Sequence, residues 1–81
     1  MRLDKFLKVA RLFKRRTVAR EVLREGLVTV NGRPAKPATH VKPGDVVIIK
    51  LGSRTLRFEV LQLSEHAAAK EAAGLYRILN E

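Results

Sequence analysis

The residues of this chain that can do chemistry are cations. Between Arg2 and Arg24 stand nine of the 17 Lys and Arg residues, opposed by Asp4 and Glu21, so this stretch carries +7 of the formal +9. Without carboxylate partners, such side chains bind anionic oxygen, the ammonium as a point charge and the guanidinium as a planar fork for two phosphate oxygens. Their spacing is ordered. At ~100° per residue Leu3, Phe6, Leu7 and Ala10 share one helical face, and Arg2, Lys5 and Lys8 fall roughly opposite. The stripe continues into Arg11, Lys14, Arg15 and Arg16, making these seven the candidate contacts of a polyanion-binding surface. Asp4 differs in kind. A lone carboxylate weakens phosphate binding, so it either orients a basic side chain or accepts a nucleotide hydroxyl, or else it complements the helix dipole as a first-turn acid. Arg20 and Arg24 reach the side of Arg16, but Glu21 and Glu25 stand close enough for ordinary helix pairs, so both are peripheral, with Arg20 in a supporting role. Lys36 extends the basic surface in the same supporting way.

Two helices must carry this stripe. The first is expected over about residues 2 to 10, followed by an apolar turn at Leu12 and Phe13; the second starts behind Thr17 as N-cap, faces inward with Val18, Ala19, Val22 and Leu23, and stops at Gly26. From Leu27 the period becomes two. Val28 and Val30 form a short strand, Asn31-Gly32 a tight hairpin turn, and Arg33 to Thr39, with Pro34 and Pro37, an edge segment and loop. Lys42-Pro43-Gly44-Asp45 is a second turn before a buried strand from Val46 to Leu51. Gly52-Ser53 turns the chain into a partner strand, Thr55 to Leu63, with Leu56, Phe58 and Val60 on one face. The alanine-rich run from Ser64 to Gly74 predicts a short helix with Ser64 as its cap, and Leu75 to Leu79 fits either a last strand or more helix. The fold class is α+β: two N-terminal helices on a small, mostly antiparallel sheet of three to four strands, with a short C-terminal helix.

The 81 residues make a single small domain with no room for a separate catalytic one. No nucleophile, base and orienter set is present, so no enzyme is expected. There is no cysteine, and His40 and His66 stand far apart, so neither a metal nor a cofactor site is expected, and both histidines read as surface residues. Charges interrupt the N-terminus too often for a signal peptide or membrane span, and a cytoplasmic location is the default. A pI near 10.9 there points first to nucleic acid. Of four aromatics, Phe6 and Phe58 fit the core, leaving Phe13 and Tyr76 at most for stacking on bases. Folded RNA read through its backbone phosphates is therefore preferred over single strands.

Two basic helices followed by Gly26-Leu27-Val28-Thr29-Val30-Asn31-Gly32 and then Val41-Lys42-Pro43-Gly44-Asp45-Val46 resemble the S-four RNA-binding domain, over roughly residues 1 to 50 of a domain spanning 1–81. The opening Arg2-Leu3-Asp4-Lys5-Phe6-Leu7, the Lys14-Arg15-Arg16-Thr17 junction and the alanine-rich segment ending in Tyr76 look like its stand-alone bacterial branch in ribosome-associated quality control. That resemblance implies a factor that binds rRNA of large ribosomal subunits obstructed by peptidyl-tRNA, stabilises the tRNA and helps an RqcH-type tailing factor add alanine to the stalled chain. The basic helix lacks the large aromatic face of an interfacial helix, so no membrane partner is expected, and the protein is expected to be monomeric off the ribosome. The alternative is a heat-shock-type ribosome-binding factor, or a general rRNA-binding protein, without a tailing role; relatives of the heat-shock kind usually carry a basic C-terminal extension beyond the point where this chain ends.

Overall fold

The computed structural model describes residues 1–79; Asn80 and Glu81, the end of the expected 1–81 domain, lie outside them. The elements are α1 (Leu3–Val9), α2 (Arg16–Arg24), β1 (Val28–Val30), β2 (Arg33–Pro34), β3 (Val46–Leu51), β4 (Arg54–Val60), α3 (Ala69–Ala72) with a 3-10 turn over Ala73–Leu75, and β5 (Tyr76–Ile78). The strands form one antiparallel sheet in the order β2-β1-β3-β4-β5.

One face of the sheet supplies Val28, Val30, Val47, Ile49, Phe58 and Val60 to the core, as period-two alternation requires. Against it α1 lays Leu3, Phe6, Leu7 and Ala10, and α2 lays Ala19 and Leu23. Phe6 stacks on Phe58 at 6.2 Å between ring centres, and Tyr76 meets Phe58 edge-on at 5.7 Å. Val18, expected on the inner face of α2, is instead 41% exposed.

The turns follow their residue types. Asn31 and Gly32 both take positive φ, 52° and 83°, which gives the hairpin turn whose twist matches the flanking strands. The Asn31 side chain then joins two turns: its Nδ2 donates to Asp45 Oδ1 at 3.0 Å and its Oδ1 accepts from the Val46 N–H at 2.9 Å. Asp45, nearly buried, also accepts from the Lys42 N–H and ammonium. Burial pushes its carboxyl up, but the bonds from Lys42 and Asn31 outweigh that and hold it below its ordinary value.

Several local expectations change. The sheet has five strands, not three to four, because β2 pairs with β1 over two residues and β5 pairs with β4. The second helix begins at Arg16, two residues earlier than a Thr17 cap implies, and Thr17 lies inside its first turn; the ladder already starts with the Ala19 N–H bonding the Arg15 carbonyl. The strand after Gly52-Ser53 ends at Val60, since the Leu61 N–H turns to the Leu75 carbonyl. The helix expected over Ser64 to Gly74 shrinks to Ala69–Ala72 and the 3-10 turn. Alanine propensity is too weak to nucleate a helix where tertiary contacts draw residues 61–68 across α1. Ser64 caps nothing and donates to the His66 carbonyl, while Glu71 takes the capping role by accepting from the Ala68 N–H at 2.9 Å.

Candidate nucleic-acid interface

The start of α1 explains how the cations are organised. Its first two N–H groups do not use side-chain caps: Leu3 donates to the Thr39 carbonyl at 2.7 Å and Asp4 to the Pro37 carbonyl at 3.3 Å. Arg2 bridges to His40, and the Val41 N–H bonds the Met1 carbonyl, so the N-terminus is strapped to the loop before β3. The loop thus satisfies backbone donors that a first-turn aspartate would otherwise serve.

The Asp4 carboxylate is free to bind side chains instead, and it is fully buried. Arg2 donates to it twice, from Nε at 3.2 Å and Nη2 at 3.1 Å. Arg16 Nη2 donates at 3.1 Å and Arg20 Nε at 3.0 Å. Three guanidiniums therefore converge on one carboxylate and leave a net +2, with their side chains 37–42% exposed. Burial pushes the Asp4 carboxyl up; the bonds from Arg20, Arg16 and Arg2 more than reverse this and hold it below its ordinary value. Of the three roles open to Asp4, orienting basic side chains is the one its contacts display. A fixed fork loses little rotamer freedom when it meets a phosphate, so the arrangement preorganises Arg2, Arg16 and Arg20 for anions.

The other cations are held less tightly. Lys5 pairs with Glu65 of the 61–68 segment, which holds the Glu65 carboxyl below its ordinary value. Arg11 closes α1 in the left-handed region, φ 60°, and donates to the Ala67 carbonyl at 3.4 Å. Lys8, Lys14 and Arg15 are exposed and meet no protein partner among the described residues. Of the sequence-derived set, the structure unites Arg2, Asp4 and Arg16 around one carboxylate and lines Lys5, Lys8 and Arg11 along α1. It brings Arg20 from the periphery to the centre; the i, i+4 spacing from Arg16 was the available signal, and the pairing with Glu21 hid it. Lys36 is exposed on the loop that docks α1 but makes no side-chain bond to the cluster. His40 and His66 are exposed, and Tyr76 is committed to the core contact with Phe58.

The chain as a whole is similar to known proteins. Residues 1–47 match the S4 domain. Over its full length the chain is 49% identical to the RQC P-site tRNA stabilizing factor of Listeria innocua, covering 88% of that protein, and 47% identical to that of Bacillus subtilis, covering 94%. It is 36% identical to heat shock protein 15 of Escherichia coli over 94% of this chain and 58% of the relative. The solved trimeric structure of Vibrio cholerae heat shock protein 15 superposes with a TM-score of 0.88 at 35% identity, covering 96% of this chain and 80% of that one.

Proposed function

This chain belongs to the S4 domain family, and from that premise we propose that it is a non-enzymatic RNA-binding factor of ribosome-associated quality control. In this reading it sits on rRNA of large subunits obstructed by peptidyl-tRNA, stabilises the tRNA in the P site and supports alanine tailing of the stalled chain by an RqcH-type factor. It works in the cytoplasm and is monomeric off the ribosome. The observation that carries the reading is the buried Asp4 holding Arg2, Arg16 and Arg20 in fixed orientation beside the exposed Lys8, Lys14 and Arg15. Guanidiniums held by Asp4 together with exposed cations that have no protein partner suit two RNA backbones at once, and bridging lengthens the residence of a tRNA that each contact alone holds weakly.

The test separates ribosomal subunits from lysate on a gradient and probes for this protein before and after hydrolysis of the peptidyl-tRNA ester. The expected result is comigration with large subunits that is lost when the tRNA leaves. The likeness to heat shock protein 15 favours a second reading, a ribosome-binding factor without a tailing role. Comigration indifferent to tRNA removal selects that second reading.

A further inference from the structure

The segment 61–68 crosses the basic helix as a strap. Its ends are fixed, by the Leu61 N–H on the Leu75 carbonyl at 2.8 Å, the Gln62 amide on the Gly74 carbonyl at 3.2 Å and the Ala68 N–H on Glu71. Its middle reaches α1 through the Lys5–Glu65 pair and the long bond from Arg11 to the Ala67 carbonyl. Between these contacts lies a groove of about 160 Å³ lined by Lys8, Val9, Arg11, Glu65, His66 and Ala67.

The lining is more varied than phosphate binding needs. Phosphates along a backbone are satisfied by a convex basic stripe, and an apolar floor adds nothing for them. Here Val9 and Ala67, both partly buried against the core, supply an apolar part of the lining, and the exposed His66 lines the same groove. Lys8 on one bank has no protein partner among the described residues, and the Arg11 guanidinium, held over the groove, keeps donors to spare. Glu65 meets Lys5 through Oε1, which leaves Oε2 to accept from a ligand. The space is smaller than the ~300–1,000 Å³ typical of pockets for drug-sized ligands and suits one planar heterocycle.

We infer that this groove seats one unpaired nucleotide of the bound RNA, its base lying on Val9 and Ala67 against the His66 ring and its phosphate held by Lys8 and Arg11. The inference rests on the RNA-binding reading and adds base recognition to a surface otherwise blind to bases. Glu65 favours a base edge that presents an amino or ring N–H.

Three RNAs carrying equal numbers of phosphates test it with the full chain: a duplex with one bulged nucleotide, the same duplex with an abasic bulge, and a fully paired duplex. The intact bulge is expected to bind on the order of tenfold tighter than the abasic one, the scale of stacking one base on an aromatic ring. His66→Ala, at an exposed position, and Ala67→Leu, which fills the groove without changing charge, should reduce the intact bulge to the abasic affinity and leave the paired duplex unchanged. Equal binding of intact and abasic bulges overturns the proposal, as does an advantage that survives both variants. If no RNA binds, the RNA-binding reading itself fails. Amide shifts on titration with AMP then judge the groove separately: shifts at Lys8, Val9, Arg11, His66 and Ala67 uphold it, and their absence ends it.

Discussion

Asp4→Asn is the most direct probe of the interface, because it keeps the shape of the side chain and removes its charge. The carboxylate accepts four N–H groups from three arginines, at 3.0 to 3.2 Å. A hydrogen bond to a charged group contributes about 1.5–3 kcal/mol where it is shielded. These arginine side chains are 37–42% exposed, so water recovers part of each bond. The net loss is then on the order of 2–4 kcal/mol, a large share of the ~5–15 kcal/mol that holds a domain together. Urea unfolding at pH 7 measures it. Because the folded-state pKa of Asp4 lies below its unfolded value, the wild type gains this stability above about pH 4 and loses it as pH falls through the folded-state pKa. The gap between wild type and variant should therefore be full at pH 7 and narrow in acid. Added salt should stabilise the variant, whose three arginines repel without a counterion, relative to the wild type. A variant as stable as wild type at pH 7, or a gap that widens in acid, refutes the account of Asp4 as the organiser of the arginines.

With phosphates met by Arg2, Lys5, Lys8, Arg15 and Arg16, binding to folded RNA should fall with salt at a log–log slope of about −3.5 to −4.5, and Arg16→Ala should reduce that slope by about 1; a flat salt titration refutes the electrostatic account. Arg11→Gly relieves a left-handed backbone and should stabilise the fold by about 0.5–1 kcal/mol while weakening RNA binding, so denaturation and binding assays move in opposite directions. Asn31→Ala removes both bonds that tie the hairpin turn to Asp45 and β3 and leaves alanine at positive φ. It should cost about 2–3 kcal/mol in urea unfolding with no change in RNA affinity well below the melting temperature.

Much of the fold is legible where one residue type dictates one conformation. The Asn31-Gly32 pair, Gly26 after α2, the Pro43-Gly44 turn and the alternation of Val28, Val30, Val47 and Ile49 each admit few solutions, and the chain adopts them. What misleads is propensity without context. Thr17 is an excellent cap by type, yet Asp4 draws Arg16 inward and starts the helix earlier. Ser64 to Ala68 is helix-prone, yet contacts with α1 and the core pull it into a strap. Strands as short as β2 and β5 cannot be told from loop by pattern, because pairing alone defines two or three residues. At the interface the cations are visible as a charge count, but their division into held and exposed groups depends on where α2 crosses α1. The convergence of Arg16 and Arg20 on Asp4 is a tertiary fact that helix periodicity only permits.

That division has a physical reason. A stretch carrying +7 over 23 residues opposes its own folding, since every cation brought close to another raises the energy of the compact state. The two anions placed against α1 reduce this in different ways. Asp4, buried, makes a permanent counterion for three arginines and is needed whether or not RNA is present. Glu65, exposed, holds Lys5 through a contact open to water and salt, so a phosphate can replace it at little cost. The sheet is stabilised in addition by apolar burial and by the Asn31–Asp45 link between two turns. The candidate contacts therefore carry more positive charge than Asp4 and Glu65 offset, and the remaining repulsion among them is what a bound polyanion would relieve. Ligand affinity and resistance to unfolding are coupled through that relief, most strongly at low salt.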